Sequence, residues 1–220
     1  MPFSELTDFS QFTSNLELEL QKPLPGEEAQ FAMAPYQRRL RKNALAENAS
    51  PRQSAVLVLF YPFKGEPHTL LMLRKTYPGV HSGQVSFPGG SKDENDVSLT
   101  QTALREAEEE TGLNKNKVKI IGKLSSVYIP PSGFLVFPFV GYLNEKPFFK
   151  PDEKEVEELI EVPLLMILDE KTIKSKNIKL ANGMVMDDTP YFDIYGHTVW
   201  GATAMMMGEL REVLKKVKWG

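Results

Sequence analysis

The chain has no cysteine, which removes disulfides, thiol nucleophiles and cysteine-ligated zinc from the chemistry open to it. It also lacks a strong charge of either sign. With 26 Lys and Arg against 29 Asp and Glu, the formal net charge is −3, so the bulk electrostatics favour neither a nucleic-acid backbone nor an anionic membrane as the main partner. A polyanionic ligand therefore needs a local cation or a metal. No stretch approaches the roughly 18 apolar residues of a membrane span, and the opening MPFSELTDFSQF has neither a basic leader nor an apolar run. The expectation from these absences is a soluble cytoplasmic protein without nucleic-acid or membrane partners. Low-complexity tracts and internal repeats are missing too.

What is present is an ordinary globular composition, 41% hydrophobic and 25% charged over 220 residues. That length suits one domain with a substantial core and additions. Phe9, Phe12, Leu16 and Leu20 fall on one helical stripe that stops at Pro23, which predicts an amphipathic helix over 8–21. Residues from there to about 51, including the basic run RRLRK at 38–42, read as irregular connection with one short helix. Residues 1–50 are thus an added segment packed on a main domain of 51–220.

From Ser54, SAVLVLFY and TLLMLRK are short β-rich runs separated by the turn signal PFKGEPH, predicting a hairpin. The Gly-rich loop HSGQVSFPGG (81–90) leads into SLTQTALREAEEETGL, where Ala103, Leu104, Ala107 and Thr111 form one helix face and Gly112 fits a stop. KVKIIGKLSSVYI and FLVFPFVGYL read as strands around the turn PPSG. PDEKEVEELIEV is expected to be a short acidic helix, IKLANGMVMDDTPYFDIYGHTVW a strand pair, and residues 200–218 a closing helix bearing Met205, Met206, Leu210, Val213, Leu214 and Val217. Strands interleaved with a few helices predict an α/β (α+β) fold with a mixed β-sheet.

The chemistry concentrates between residues 89 and 113. Glu106, Glu109 and Glu110 stand at i, i+3 and i+4, so their side chains converge on one side of a helix. Taken alone, EAEEE would be an ordinary solvated acidic face. Its setting argues otherwise. Like charges at this spacing repel, and a hard divalent cation such as Mg²⁺ or Mn²⁺ among the oxygens relieves that repulsion. The preceding FPGG lets backbone come close to a ligand, and Arg105 can orient Glu109 through an i, i+4 ion pair.

Arg105, Glu106, Ala107, Glu109, Glu110, Gly112 and Leu113 fall in register with the signature box of the Nudix hydrolases, which the sequence here resembles. Strictly applied, the box would have Glu six residues after Gly90, where Asp96 stands. Eight residues instead of seven separate that position from Arg105, and Ala107 is smaller than the usual aliphatic. An Asp with one extra residue, together with GQVSFPGG at 83–90, resembles the coenzyme A pyrophosphatase-like branch. The likeness runs from about Ser54 to the carboxyl end and includes PPSGF, Pro138, the segment around Glu155 and WGATA at 200–204. The branch's coenzyme A motif keeps Arg74 and Gly83 here. However, Gly79 stands where that motif has arginine, and Met72 where it has threonine.

The resemblance implies a Nudix-type α/β/α sandwich with a mixed sheet and an added amino-terminal helix. It also implies Mg²⁺ or Mn²⁺ held by Glu106, Glu109, Glu110 and the backbone carbonyl of Gly89. Glu109 and Glu155 are candidates for the base, Arg105 orients the glutamates, and Asp96 supports the loop. Arg74, Gly83, Phe87 and Gly90 are the expected substrate-binding positions. The implied substrate is a small nucleoside diphosphate derivative. Coenzyme A or acyl-coenzyme A, giving 4′-phosphopantetheine and adenosine 3′,5′-bisphosphate, stands beside ADP-ribose, NADH or a dinucleotide, and a non-catalytic binding module of the same fold is the reading from another class. A homodimer stays open. His81 reads as a loop residue making structural hydrogen bonds, and Trp200 with Met205–Met207 as packing.

Overall fold

The computed structural model describes residues 9–35, 50–76, 83–180 and 183–219. The basic run 38–42, Gly79 and His81 lie outside them.

Strand β1 (Arg52–Phe63) explains why SAVLVLFY is a continuous apolar run: the strand is central and both of its faces are covered. Ala55, Leu57, Leu59 and Tyr61 join one core cluster with Ala103, Ala107 and Leu113, while Val56, Val58 and Phe60 join another with Phe12, Leu16 and Met205 to Met207. Period-two alternation thus sends alternate side chains of one strand into two helical layers.

The strand forms the expected hairpin with β2 (Glu66–Arg74). Two short strands follow, β3 (Val85–Ser86) on β2 and β4 (Gly89–Ser91) on β1, and then helix α3 (Leu99–Thr111). KVKIIGKLSSVYI is divided into β5 (Lys119–Lys123) and β6 (Val127–Ile129). Both pair antiparallel with β7 (Phe134–Tyr142), which itself runs parallel to β1, so the sheet is mixed.

Ahead of β1 stand α1 (Phe9–Leu20) and α2 (Gly26–Ala32). In α1, Phe12 and Leu16 are fully buried while Leu18 faces out, and the Phe12 ring stacks on Trp219 at 5.0 Å and meets Phe60 edge-on at 5.8 Å. The helix at the carboxyl end, α5 (Gly201–Leu214), buries its methionines in the same core. Its Glu209 is completely buried. That carboxylate accepts hydrogen bonds from the Gly26 N–H (3.0 Å), Gln30 Nε2 (2.8 Å) and the Ser125 N–H (3.1 Å), so a single side chain ties α2, α5 and the turn after β5 together.

Two expectations are corrected. The acidic segment 151–162 is not a helix: Glu155 closes a turn, and Val156–Pro163 is strand β8, antiparallel to β2. Val156, Ile160 and Val162 are buried, and the glutamates that gave the segment its helical composition stay at the margin. Glu161 accepts from the Tyr61 hydroxyl (2.9 Å) and from Lys146 Nζ (2.8 Å). After α4 (Leu164–Leu168), the expected strand pair proves to be a three-stranded sheet. Its strands are β9 (Ile173–Lys179), β10 (Val185–Ile194) and β11 (His197–Val199), with a bulge in β10 between Met186 and Thr189. Helix α3 covers one face of the main sheet and α1 with α5 the other, an α/β/α arrangement.

Candidate active site

The register of α3 is fixed at both ends. Ser98 Oγ accepts the Gln101 N–H (3.2 Å) while Gln101 Oε1 accepts the Val97 N–H (2.9 Å), a reciprocal cap. Gly112 ends the helix in the left-handed conformation at φ 71°, with its N–H on the Glu108 carbonyl. Between the caps, Ala103 and Ala107 are completely buried against the sheet, and their small side chains let the helix sit close to β1. Glu106, Glu109 and Glu110 are therefore presented along one margin of the helix, beside β4.

Glu110 is the deepest of the three, at 2% exposure. Its Oε2 accepts the Gly89 N–H at 2.7 Å. Its Oε1 lies 3.1 Å from Arg74 Nη1 but lacks the alignment of a hydrogen bond and has no other partner among the described residues. Burial pushes this carboxyl up to about 8. The Arg74 charge and the Gly89 N–H pull it down, and the nearby carboxylates of Glu106 and Glu155 push it further up.

Arg105 organises the outer part of the site. Its Nε and Nη2 grip both oxygens of Asp96 at 3.0 and 2.9 Å, and its Nη1 reaches Glu106 (2.9 Å) and Glu109 (3.0 Å). Asp96 is itself buried, receiving Thr102 Oγ1 (2.9 Å) and the Asp93 N–H (3.0 Å). The paired guanidinium beside Asp96 holds its carboxyl well below the usual carboxylate range. Burial raises the Glu106 carboxyl against the opposing pull of Arg105, with the charges of Glu109 and Glu155 adding to the rise.

The glycines before the helix are there for space. A Cβ on Gly89, which sits at φ 153°, would lie 2.3 Å from the Ala55 carbonyl oxygen. One on Gly90 would lie 2.3 Å from Glu106 Oε2. The Gly90 carbonyl is held by Ser54 Oγ at 2.7 Å.

The structure thus brings together Glu106, Glu109, Glu110, Arg105, Arg74, Gly89 and Gly90. Glu155 stands at the edge, 56% exposed, with its Oε2 3.9 Å from Arg74 Nη2. Gly83 is one strand away, its N–H on the Lys75 carbonyl. Phe87 has no exposed surface and belongs to the core, so contact between substrate and that position would run through the backbone around it. The contact the structure gives Gly89 with the glutamates is through its N–H rather than its carbonyl. Local sequence carries no signal for the Arg74–Glu110 pair, for Ser54, or for the grip of Asp96 on Arg105, because each joins residues that only the fold makes neighbours.

Among the described residues, no three acidic or histidine side chains are gathered as a ready metal cluster, because Glu106 and Glu109 are turned to Arg105. The donor set nevertheless fits a hard divalent cation. It is all oxygen, it carries more negative charge than two arginines neutralise, and it contains in Glu110 Oε1 a buried oxygen without a hydrogen bond.

A family model of the NUDIX domain matches residues 51–181. NudL of Yersinia enterocolitica, described as an uncharacterized Nudix hydrolase, is 35% identical over 166 residues, covering 75% of this chain and 83% of that protein. NudL of Pectobacterium atrosepticum is 44% identical over 119 residues, 51% of this chain and 58% of that one. Among solved structures, the Nudix hydrolase RenU of M. smegmatis aligns with a TM-score of 0.52 at 18% identity, over 76% of this chain and 88% of its own. The NUDIX domain of Shewanella oneidensis NrtR, solved with ADP-ribose, aligns with a TM-score of 0.51 at 16% identity, over 81% of this chain and 98% of its own. At such identities the structural matches speak for the fold alone.

Proposed function

The chain belongs to the Nudix family of hydrolases, and from that premise we propose that it cleaves the diphosphate linkage of coenzyme A or acyl-coenzyme A, releasing 4′-phosphopantetheine and adenosine 3′,5′-bisphosphate. The observation that carries the catalytic part is Glu110, a nearly buried carboxyl with one oxygen lacking a hydrogen bond, flanked by two more carboxylates on the same helix. Arg74 answers only part of the charge of this cluster, and a cation arriving with the ligand would answer the rest.

In this reading Glu106, Glu109 and Glu110, with the Gly89 carbonyl, hold Mg²⁺ or Mn²⁺. The cation would draw charge from the diphosphate oxygens as negative charge develops on them. Glu109 is the better placed of the two candidate bases: it is 58% exposed, on the same helix as the other carboxylates, and oriented by Arg105. Glu155 is the second candidate. The base takes one proton from a water whose oxygen attacks phosphorus. The bridging P–O bond then breaks towards the second phosphate, and no covalent enzyme intermediate forms. Arg105, anchored by Asp96, keeps Glu106 and Glu109 in position throughout. Arg74 lies where it can pass from Glu110 to an oxygen of the diphosphate.

Two residues favour a second reading, hydrolysis of ADP-ribose, NADH or a dinucleotide. Gly79 replaces the arginine of the coenzyme A motif, and Met72, in place of its threonine, is completely buried in β2 and offers no polar contact. Product analysis separates the two. With Mg²⁺ or Mn²⁺, the purified protein is expected to release adenosine 3′,5′-bisphosphate from coenzyme A faster than it cuts ADP-ribose, NADH or diadenosine polyphosphates. A faster cut of any of the latter would overturn the substrate assignment while leaving the diphosphate chemistry standing.

A further inference from the structure

We propose that the cleft between the three-stranded sheet and the β2–β3 edge binds a phosphomonoester carried on the nucleoside of the substrate, with Lys176 and Lys179 as its cations. The proposal rests on the reading above that the substrate is a nucleoside diphosphate derivative. The cleft has a volume of about 500 Å³, enough for a nucleotide-sized group, and is floored by Leu73, Val85 and Trp200. Leu73 is the neighbour in β2 of Arg74, whose guanidinium meets Glu110. Leu73 and Val85 pack with the core on the α5 side of the sheet, while Arg74 meets Glu110 on the α3 side, so the cleft and the carboxylates lie on opposite faces of β2 and approach each other around its carboxyl end.

Its rim is made of donors. Lys176 and Lys179 are exposed residues of β9 that line the cleft together with Asn177, and Thr198 comes from β11. Lys176 Nζ donates to Thr198 Oγ1 at 2.6 Å and lies 4.8 Å from the centre of the Tyr191 ring, so the ammonium is positioned without an ion pair, although the Asp193 carboxylate lies near enough to feel its charge. Asn177 Oδ1 accepts the Asp188 N–H (3.0 Å), which turns its amide group into a donor for another partner.

Two of the neighbouring carboxylates are already used. Asp193 is held by Lys174 at 2.6 Å, and Glu158 faces His197 Nε2 at 3.3 Å. Among the described residues, none that lines the cleft is acidic, and neither lysine forms an ion pair with a carboxylate. In a chain of net charge −3, a cleft whose described lining is rich in donors and holds no carboxylate selects for an anion. The cleaved diphosphate already has the glutamate margin, so the second cleft answers to a phosphate elsewhere on the same substrate. Coenzyme A carries one at its ribose, and ADP-ribose does not.

The test is metal-free titration calorimetry of the full chain with adenosine 3′,5′-bisphosphate and with AMP. The wild type is expected to bind the bisphosphate about tenfold tighter, the worth of one charge-assisted contact. The variant K176A/K179A, whose side chains are exposed and whose melting temperature should hold, is expected to bind both alike and to show a raised KM for coenzyme A. Equal binding of both nucleotides by the wild type, or a preference that survives in the variant, would overturn the proposal. Because the titration needs no turnover, its outcome is separate from that of the hydrolysis assay. A preference that collapses in K176A/K179A supports the cleft even if coenzyme A is not cut.

Discussion

Replacing Glu110 by Gln is expected to lower metal-dependent hydrolysis by roughly 10³-fold and at the same time to make the metal-free protein more stable at pH 8. The second effect follows from the position of the carboxyl, pushed up to about 8 from an ordinary 4.5. Unfolded, the group loses its proton near 4.5; folded, it keeps it to about 8. Across that window the folded state binds more protons than the unfolded state. Stability therefore falls as pH rises, by up to about 1.4 kcal/mol per unit. Gln has no proton to lose. The variant should match the wild type at pH 4.5 and exceed it at pH 8 by on the order of 4 kcal/mol, read by thermal or urea denaturation. A divalent cation should raise the melting temperature of the wild type at pH 8 and leave that of the variant unmoved. A variant that is destabilised at pH 8 and still hydrolyses substrate would remove Glu110 from the account.

The adjacent glycines should separate folding from chemistry. Alanine at Gly90 places its Cβ 2.3 Å from Glu106 Oε2, the mobile end of a side chain. The fold can accept it by swinging the carboxylate aside. The expected result is a melting temperature within a few degrees of wild type and a rate down by about 10²-fold, because a misplaced ligand or charge costs that much in pre-organised sites. Alanine at Gly89 instead meets the Ala55 carbonyl oxygen at 2.3 Å and Val56 Cα at 2.5 Å, both backbone, at a φ of 153°. Neither neighbour can rotate away, so that variant should lose about 3 kcal/mol or more of stability. If G90A keeps wild-type activity, Glu106 has no part in holding the cation.

The legible parts of the molecule are those written in local spacing. The two caps of α3, the i, i+3, i+4 glutamates and the Arg105–Glu109 step depend only on residues within one helix. The double-sided burial of β1 is visible as an unbroken apolar run. The segment 151–162 reads as a helix because Glu155 before β8, and Glu157, Glu158 and Glu161 within it, give a helix former's composition. The shift in its pairing with β2, between Leu73 and Arg74, also breaks the period of two that would have marked a strand. Contacts between distant segments left no trace of this kind. Arg74 is expected at the substrate from the sequence, yet its partner in the fold is Glu110, 36 positions away. Glu209 could have been noticed as a lone carboxylate in the apolar run GATAMMMGEL, but its partners in α2 and after β5 exist only once the chain has folded.

In the proposed mechanism the carboxylates of α3 would hydrolyse the diphosphate through a divalent cation. The most direct test is the initial rate of adenosine 3′,5′-bisphosphate release from coenzyme A as a function of free Mg²⁺ or Mn²⁺, for the wild type and for Glu109→Gln. The account expects a rate that saturates with metal, disappears with chelator and falls by at least about 10³-fold in the variant. A rate that survives chelation, or a variant as fast as the wild type, would contradict it.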